Sequence, residues 1–158
     1  METSTTAVTQ TRTIKATAQE VFAAWTDPAL IPLWLGAGPN VVTTAEVDAR
    51  VGGHYRIETR VAEDVHVTTG EYRELEPGRR LVKTWIYRGP LAEFEHHETL
   101  VTVDFRETGP GVTELTLKHE RLPSTKYADS VRQGWAACFD NLETLASEGR
   151  LAPARSGA

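Results

Sequence analysis

The sequence predicts an α+β fold in which a curved antiparallel sheet wraps around a long C-terminal helix. Two observations carry this. From Val41 onward the side chains alternate between apolar and polar with period two, in segments separated by Gly- and Pro-containing turns. Near the end, Val131, Trp135, Cys138, Phe139, Leu142 and Leu145 recur at helical spacing and share one face. One long helix arriving after a run of strands packs most simply across the concave side of their sheet. Trp135 and Phe139 then face whatever the sheet encloses.

The elements follow in order. Residues 1–10 (Thr- and Ser-rich) and 150–158 (rich in Ala, Pro, Ser and Gly) read as disordered tails around one domain, 11–149. Thr11 to Lys15 is a short strand. Thr17 caps a helix carrying Val21, Phe22 and Trp25, with Glu20 completing a capping box. Asp27-Pro28 starts a second short helix with Leu30, Ile31, Leu33 and Trp34 on its apolar side, and Gly36-Ala37-Gly38-Pro39 ends it.

Val41 to Val47 is the next strand, and Val51-Gly52-Gly53 turns into another whose inward face holds Tyr55, Ile57, Thr59 and Val61. Val65 to Leu75 leads through Glu76-Pro77-Gly78-Arg79 into Leu81 to Arg88. There one face offers Val82, Thr84 and Ile86 and the other Leu81, Lys83, Trp85 and Tyr87. The face without the lysine is set inward, which leaves Trp85 unplaced. Two final strands flank Thr108-Gly109-Pro110-Gly111, and pairing Phe105 with Leu115 matches their apolar faces. The long helix starts between Ser124 and Asp129 and ends at Gly149.

A chain of 158 residues suits one domain that buries roughly 68–70% of its unfolded surface. With 17 basic and 22 acidic side chains the net charge is −5, and no basic run occurs. Nucleic acid and anionic membranes are therefore poor partners. No segment approaches the ~20 apolar residues of a membrane span. The lone Cys138 lies on the helical stripe and reads as a buried thiol. The N-terminus has neither a basic start nor an apolar run, so the expected compartment is the cytoplasm.

Few polar groups fall on the inward faces. His119 shares its face with Leu115 and Leu117, and His97 shares one with Thr99, Val101 and Val103. In the predicted register the two stand about 13–14 Å apart, too far to act as a dyad. His96 and Glu98 supply two outward ligands, short of a closed zinc site, so no metal is expected. Phosphate-cradling and nucleophile motifs are absent, so no cofactor and no catalytic set are assigned. Apolar walls with a few polar groups suit a small hydrophobic molecule held between sheet and helix. Trp34, Tyr55, Tyr72, Trp135 and Phe139 are the expected aromatic surface, with His97 and His119 fixing orientation.

Several segments together carry a resemblance: Val21-Phe22-x-x-Trp25-Thr26-Asp27-Pro28, Trp34, Gly52-Gly53-x-Tyr55, Gly70-x-Tyr72-x-x-Leu75, Arg80-Leu81-Val82-x-Thr84-Trp85, Thr113-Glu114-Leu115-x-Leu117-x-His119, and Gly134-Trp135 with Asn141-Leu142. Over residues 10–148 the chain resembles the activator-of-heat-shock-protein-ATPase-homologue family of the START-like, birch-pollen-allergen-like (SRPBCC) superfamily. The resemblance implies a helix-grip fold with two short helices after the first strand. The wider superfamily includes lipid and hormone carriers, polyketide cyclases and self-sacrificing antibiotic-resistance proteins, and no catalytic set from any of them maps onto this chain. Binding of a small hydrophobic ligand is the leading expectation. One alternative is a cyclase- or hydrolase-type enzyme acting on a polyketide-like or aromatic molecule, with His119 or His97 and Tyr55 or Tyr72 carrying protons. Another is a chaperone-ATPase-activator-like interaction module. The chain is expected as a monomer or a homodimer.

Overall fold

Ten elements make up the fold: β1 (Thr6–Ile14), α1 (Ala18–Thr26), α2 (Ile31–Trp34), β2 (Val41–Val47), β3 (His54–Val61), β4 (Asp64–Glu76), β5 (Arg80–Arg88), β6 (Glu98–Gly109), β7 (Val112–Leu122) and α3 (Thr125–Ser147). The computed structural model describes residues 6–36, 40–91 and 94–151. The strands form one antiparallel sheet in the order β1-β7-β6-β5-β4-β3-β2, and α3 lies across its inner face. This is the α+β helix-grip arrangement.

Local chemistry explains the boundaries. Thr17 caps α1 by accepting the Glu20 N–H at 3.1 Å, while Glu20 Oε1 accepts the Thr17 N–H at 2.9 Å. Ser124 caps α3 by accepting the Tyr127 N–H. Past its end, Gly149 turns left-handed at φ 73°. Gly70 marks a close approach of strands, since a Cβ there would collide with the Thr84 carbonyl. Phe105 stands opposite Leu115 and Val101 opposite His119, as the alternation of apolar residues requires.

Three expectations need correction. The first strand begins at Thr6, so residues 6–10 belong to the sheet rather than to a tail, with Thr6 opposite Leu122 and Val8 opposite His119. Its polar composition hid it, because β1 is tied to α3 by polar side chains. Gln10 Nε2 donates to the Arg132 carbonyl at 2.9 Å, and Arg12 reaches Asp140 and Glu143 at 2.9 and 2.8 Å. At the other end, Leu151 is buried in the core and the Arg150 N–H donates to the Leu145 carbonyl. The remaining tail residues, 1–5 and 152–158, lie outside the described residues, as do 37–39 of the expected helix break.

The third correction concerns β5. Leu81, Lys83 and Trp85 face inward, because Lys83 pairs with Val101 and Trp85 with Thr99 on the inner face of β6. Val82 and Thr84 are buried on the opposite face. The register is set by the continuous apolar rows of β6 and β7, and it carries the lysine into the interior.

Candidate functional site

Between α3 and the β3–β4–β5 part of the sheet lies a cavity of about 270 Å³. Its walls are Leu35, Trp85, Leu91, Phe94, Tyr127, Val131, Trp135 and Cys138, with Gly36, Thr59, His66, Tyr87, Ser130 and Gly134 completing the lining. None of these residues carries a carboxylate, ammonium or guanidinium. The volume sits just below the roughly 300–1,000 Å³ of drug-sized ligand sites. A larger groove of about 650 Å³ lies on the outer face around Arg56, Glu71, Arg73 and Glu98. Its charges offset one another, with Arg73 at 3.6 Å from Glu71 and 3.9 Å from Glu98, as on an ordinary solvated surface.

Trp85 and Trp135 meet at 5.2 Å between ring centroids and form the inner wall. His119 holds both in place. Trp135 Nε1–H donates to His119 Nδ1 at 3.1 Å, so the imidazole carries its proton on Nε2. Nε2–H then donates to Thr99 Oγ1 at 2.7 Å, and that hydroxyl donates to the Trp85 carbonyl at 2.9 Å. Burial, reinforced by the charge of Lys83, holds the His119 imidazolium down to about 3. His119 is thus a neutral brace behind the wall.

Of the other expected site residues, Trp135 alone lines the cavity. Trp34 and Phe139 are fully buried and stack on each other at 6.3 Å, and Trp34 Nε1–H donates to the Ala24 carbonyl. Tyr55 and Tyr72 lie side by side in the core at 5.5 Å. Tyr55 donates to the Thr84 carbonyl at 2.5 Å, whereas the Tyr72 hydroxyl is buried without a partner among the described residues. Burial pushes both phenols up. His97 is exposed just before β6, 6.3 Å from the Tyr127 ring, and does not reach the lining.

Sequence reasoning missed four features. Lys83 is 1% exposed, and its Nζ sits 4.4, 5.3 and 5.6 Å from the ring centroids of Tyr55, Trp25 and Trp85. No hydrogen-bond acceptor or carboxylate pairs with it among the described residues, and burial lowers its ammonium to about 7. At the β4–β5 side of the cavity, His66 Nδ1 and Tyr87 Oη are 2.7 Å apart, and Tyr87 also accepts the Leu91 N–H at 3.3 Å. Tyr127 packs its ring on Phe94 at 4.4 Å, and burial pushes its hydroxyl up to about 12. Cys138, expected to be buried, is half-buried in the lining, and burial raises its thiol, which leaves it a weak nucleophile. Trp85 and Tyr87, which follow Lys83 at alternate positions of β5, were the available signal for that face.

Among the described residues, no group of three or more His, Cys, Asp and Glu could hold a metal. Likewise, no described helix is long and apolar enough to cross a membrane.

Comparison with known proteins places this architecture. A crystal structure from Rhodobacter sphaeroides superposes with a TM-score of 0.77 at 25% identity, covering 90% of this chain and 93% of that one. One from Chromobacterium violaceum gives 0.76 at 26% identity, with 89% and 96% covered. CalU16 from Micromonospora echinospora, at 24% identity, a TM-score of 0.64 and coverage of 93% and 76%, shares the fold. No curated protein matches the chain. The family model described as Activator of Hsp90 ATPase homolog 1-like protein matches residues 15–147, which span α1, α2, β2 to β7 and all of α3, and the chain belongs to that family.

Proposed function

We propose that the protein binds a small hydrophobic molecule in the 270 Å³ cavity between the sheet and α3. The observation that carries this reading is the lining itself: indole, phenyl and aliphatic walls without a charged group among the described residues, braced from behind by a fully satisfied His119. The ring of Trp135 is the anchor shared by this reading and the sequence. Trp34, Tyr55, Tyr72 and Phe139 support the wall from the core, and His97 stands outside the lining.

The family's printed name points to a chaperone ATPase, which would call for a contiguous exposed apolar patch. The large apolar side chains exposed among the described residues are Val42, Val51, Val61 and Leu91. Val42 and Val61 stand on opposite faces of the β2–β3 ribbon, and this scatter supports a chaperone interface less well than the cavity supports a ligand.

Gly134 provides the test. It lines the cavity on α3, and a Cβ built there meets nothing within 4 Å. The environment-sensitive dye N-phenyl-1-naphthylamine is expected to bind the native protein with enhanced fluorescence and quenching of Trp85 and Trp135. Gly134→Trp, which places an indole in the open space, is expected to weaken binding at least about tenfold, or by 1.4 kcal/mol. Equal dye binding by both proteins would remove the cavity as the site.

A further inference from the structure

The cavity holds one arrangement that mere apolar binding does not require. His66 and Tyr87 both line it and are joined by a 2.7 Å bond between Nδ1 and Oη. The Tyr87 oxygen also takes the Leu91 N–H, and a Cβ at Gly89 would collide with that oxygen, so the loop after β5 closes tightly around the hydroxyl. His66 Nε2 has no partner among the described residues. A phenol oxygen can accept two hydrogen bonds and still donate one. With the His66 proton on Nδ1 and donated to Tyr87, the pair presents a free imidazole lone pair and a free O–H donor. Those are the two groups needed to move a proton off a carbon beside a carbonyl.

We propose that His66 and Tyr87 are catalytic residues for reversible enolisation of a neutral aromatic ketone bound in this cavity. The inference rests on the binding reading above. The ketone class follows from the walls. Trp85, Phe94 and Trp135 suit an aromatic body, and the absence of charged side chains from the lining among the described residues leaves a bound anion without a counter-charge. Ester hydrolysis would need a nucleophile in contact with the histidine, and His66 contacts Tyr87.

The step balances on these groups alone. His66 Nε2 takes the α-proton, and the C–H electron pair becomes the carbon–carbon π bond of the enolate. The carbonyl π pair moves to oxygen, where the Tyr87 O–H meets it. The reverse step returns a proton to carbon. Burial raises the Tyr87 phenol above its ordinary value, which keeps that proton in place for donation.

The test is hydrogen–deuterium exchange at the methyl group of 2-acetylnaphthalene in D₂O, followed by NMR, with ketone binding read separately from quenching of tryptophan fluorescence. The native protein is expected to accelerate exchange over buffer. His66→Gln and Tyr87→Phe are each expected to lose about 100-fold of that acceleration, with ketone affinity changed less than about threefold. Two results overturn the inference and leave the binding reading standing: bound ketone without exchange, or exchange that persists in both variants. Failure of both the ketone and N-phenyl-1-naphthylamine to bind overturns the two together. Tighter binding of 2-naphthoate than of the ketone overturns the neutral-ligand assignment.

Discussion

Lys83 stands in the interior with aromatic faces for neighbours and no counter-ion among the described residues. Cation–π contact returns part of the desolvation cost, on the order of 2 kcal/mol when buried. Loss of the proton avoids the rest. In the unfolded chain the ammonium titrates at 10.5, and in the fold at about 7. Between those values the unfolded state holds a proton that the native state lacks, so stability rises with pH across that window. Lys83→Met keeps the unbranched stem and removes the charge. It is expected to stabilise the protein by about 3 kcal/mol at pH 7, with the gain shrinking as pH is raised toward 10.5. Urea unfolding of both proteins at pH 7 and in alkaline buffer checks this; a destabilised variant at pH 7 would contradict it. The same residue shows where reading the sequence reached its limit. Alternation gave two candidate faces for β5, and the lysine decided against the face that also carries two aromatics. Only the pairing of Lys83 with Val101 resolves the choice.

At the level of elements, the signals that held were those fixed by local chemistry. The capping box of α1, the start of α3 between Ser124 and Asp129 and the Phe105–Leu115 register all rest on residues close in sequence or on matched apolar rows. The site was less legible, because its lining comes from segments whose meeting depends on the whole fold. Of the α3 stripe, Trp135 and Phe139 were the expected contacts, whereas the residues that line the cavity are Val131, Trp135 and Cys138. Tyr127 lies one turn before that stripe, His66 and Tyr87 come from β4 and β5, and Phe94 comes from the connection before β6. Helix α3 also contains an apparent local conflict. Gly134 sits near its middle, where glycine costs about 1 kcal/mol relative to alanine, and the space beside it is open. Gly134→Ala is expected to raise stability by about 0.5–1 kcal/mol, read as a higher urea midpoint at unchanged slope. A loss of stability would show that the helix needs the glycine for its own path. Glycine here keeps the cavity side of the helix bare.

Across the whole molecule the two buried bases, His119 and Lys83, act in one direction. His119 titrates at 6.5 in the unfolded chain and at about 3 in the fold, so the unfolded state binds a proton first as pH falls through that interval and stability is lost. Arg56 and Arg60, bonded to Glu58, hold its carboxyl below the usual range, so that contribution too is lost in acid. Lys83 adds stability on the alkaline side of neutrality. Stability is therefore expected to climb from acid through neutral pH and to peak above pH 7, near pH 9–10. Chemical denaturation across a pH series measures it. A maximum on the acid side of pH 6 would mean that His119 and Lys83 do not titrate as their surroundings dictate.

The first strand has its partner at the far end of the chain: β1 pairs with β7, and Arg12 reaches across to Asp140 and Glu143 on α3. A ribosome delivers one of these partners more than a hundred positions before the other. Until β7 has left the exit tunnel, the opening strand waits with its hydrogen-bonding edge bare, and until α3 follows, the aromatic interior has no cover. Closing so distant a pair is entropically slow, and exposed edges invite association meanwhile. Nascent chains that stop short of α3 are expected to associate more readily than chains that include it.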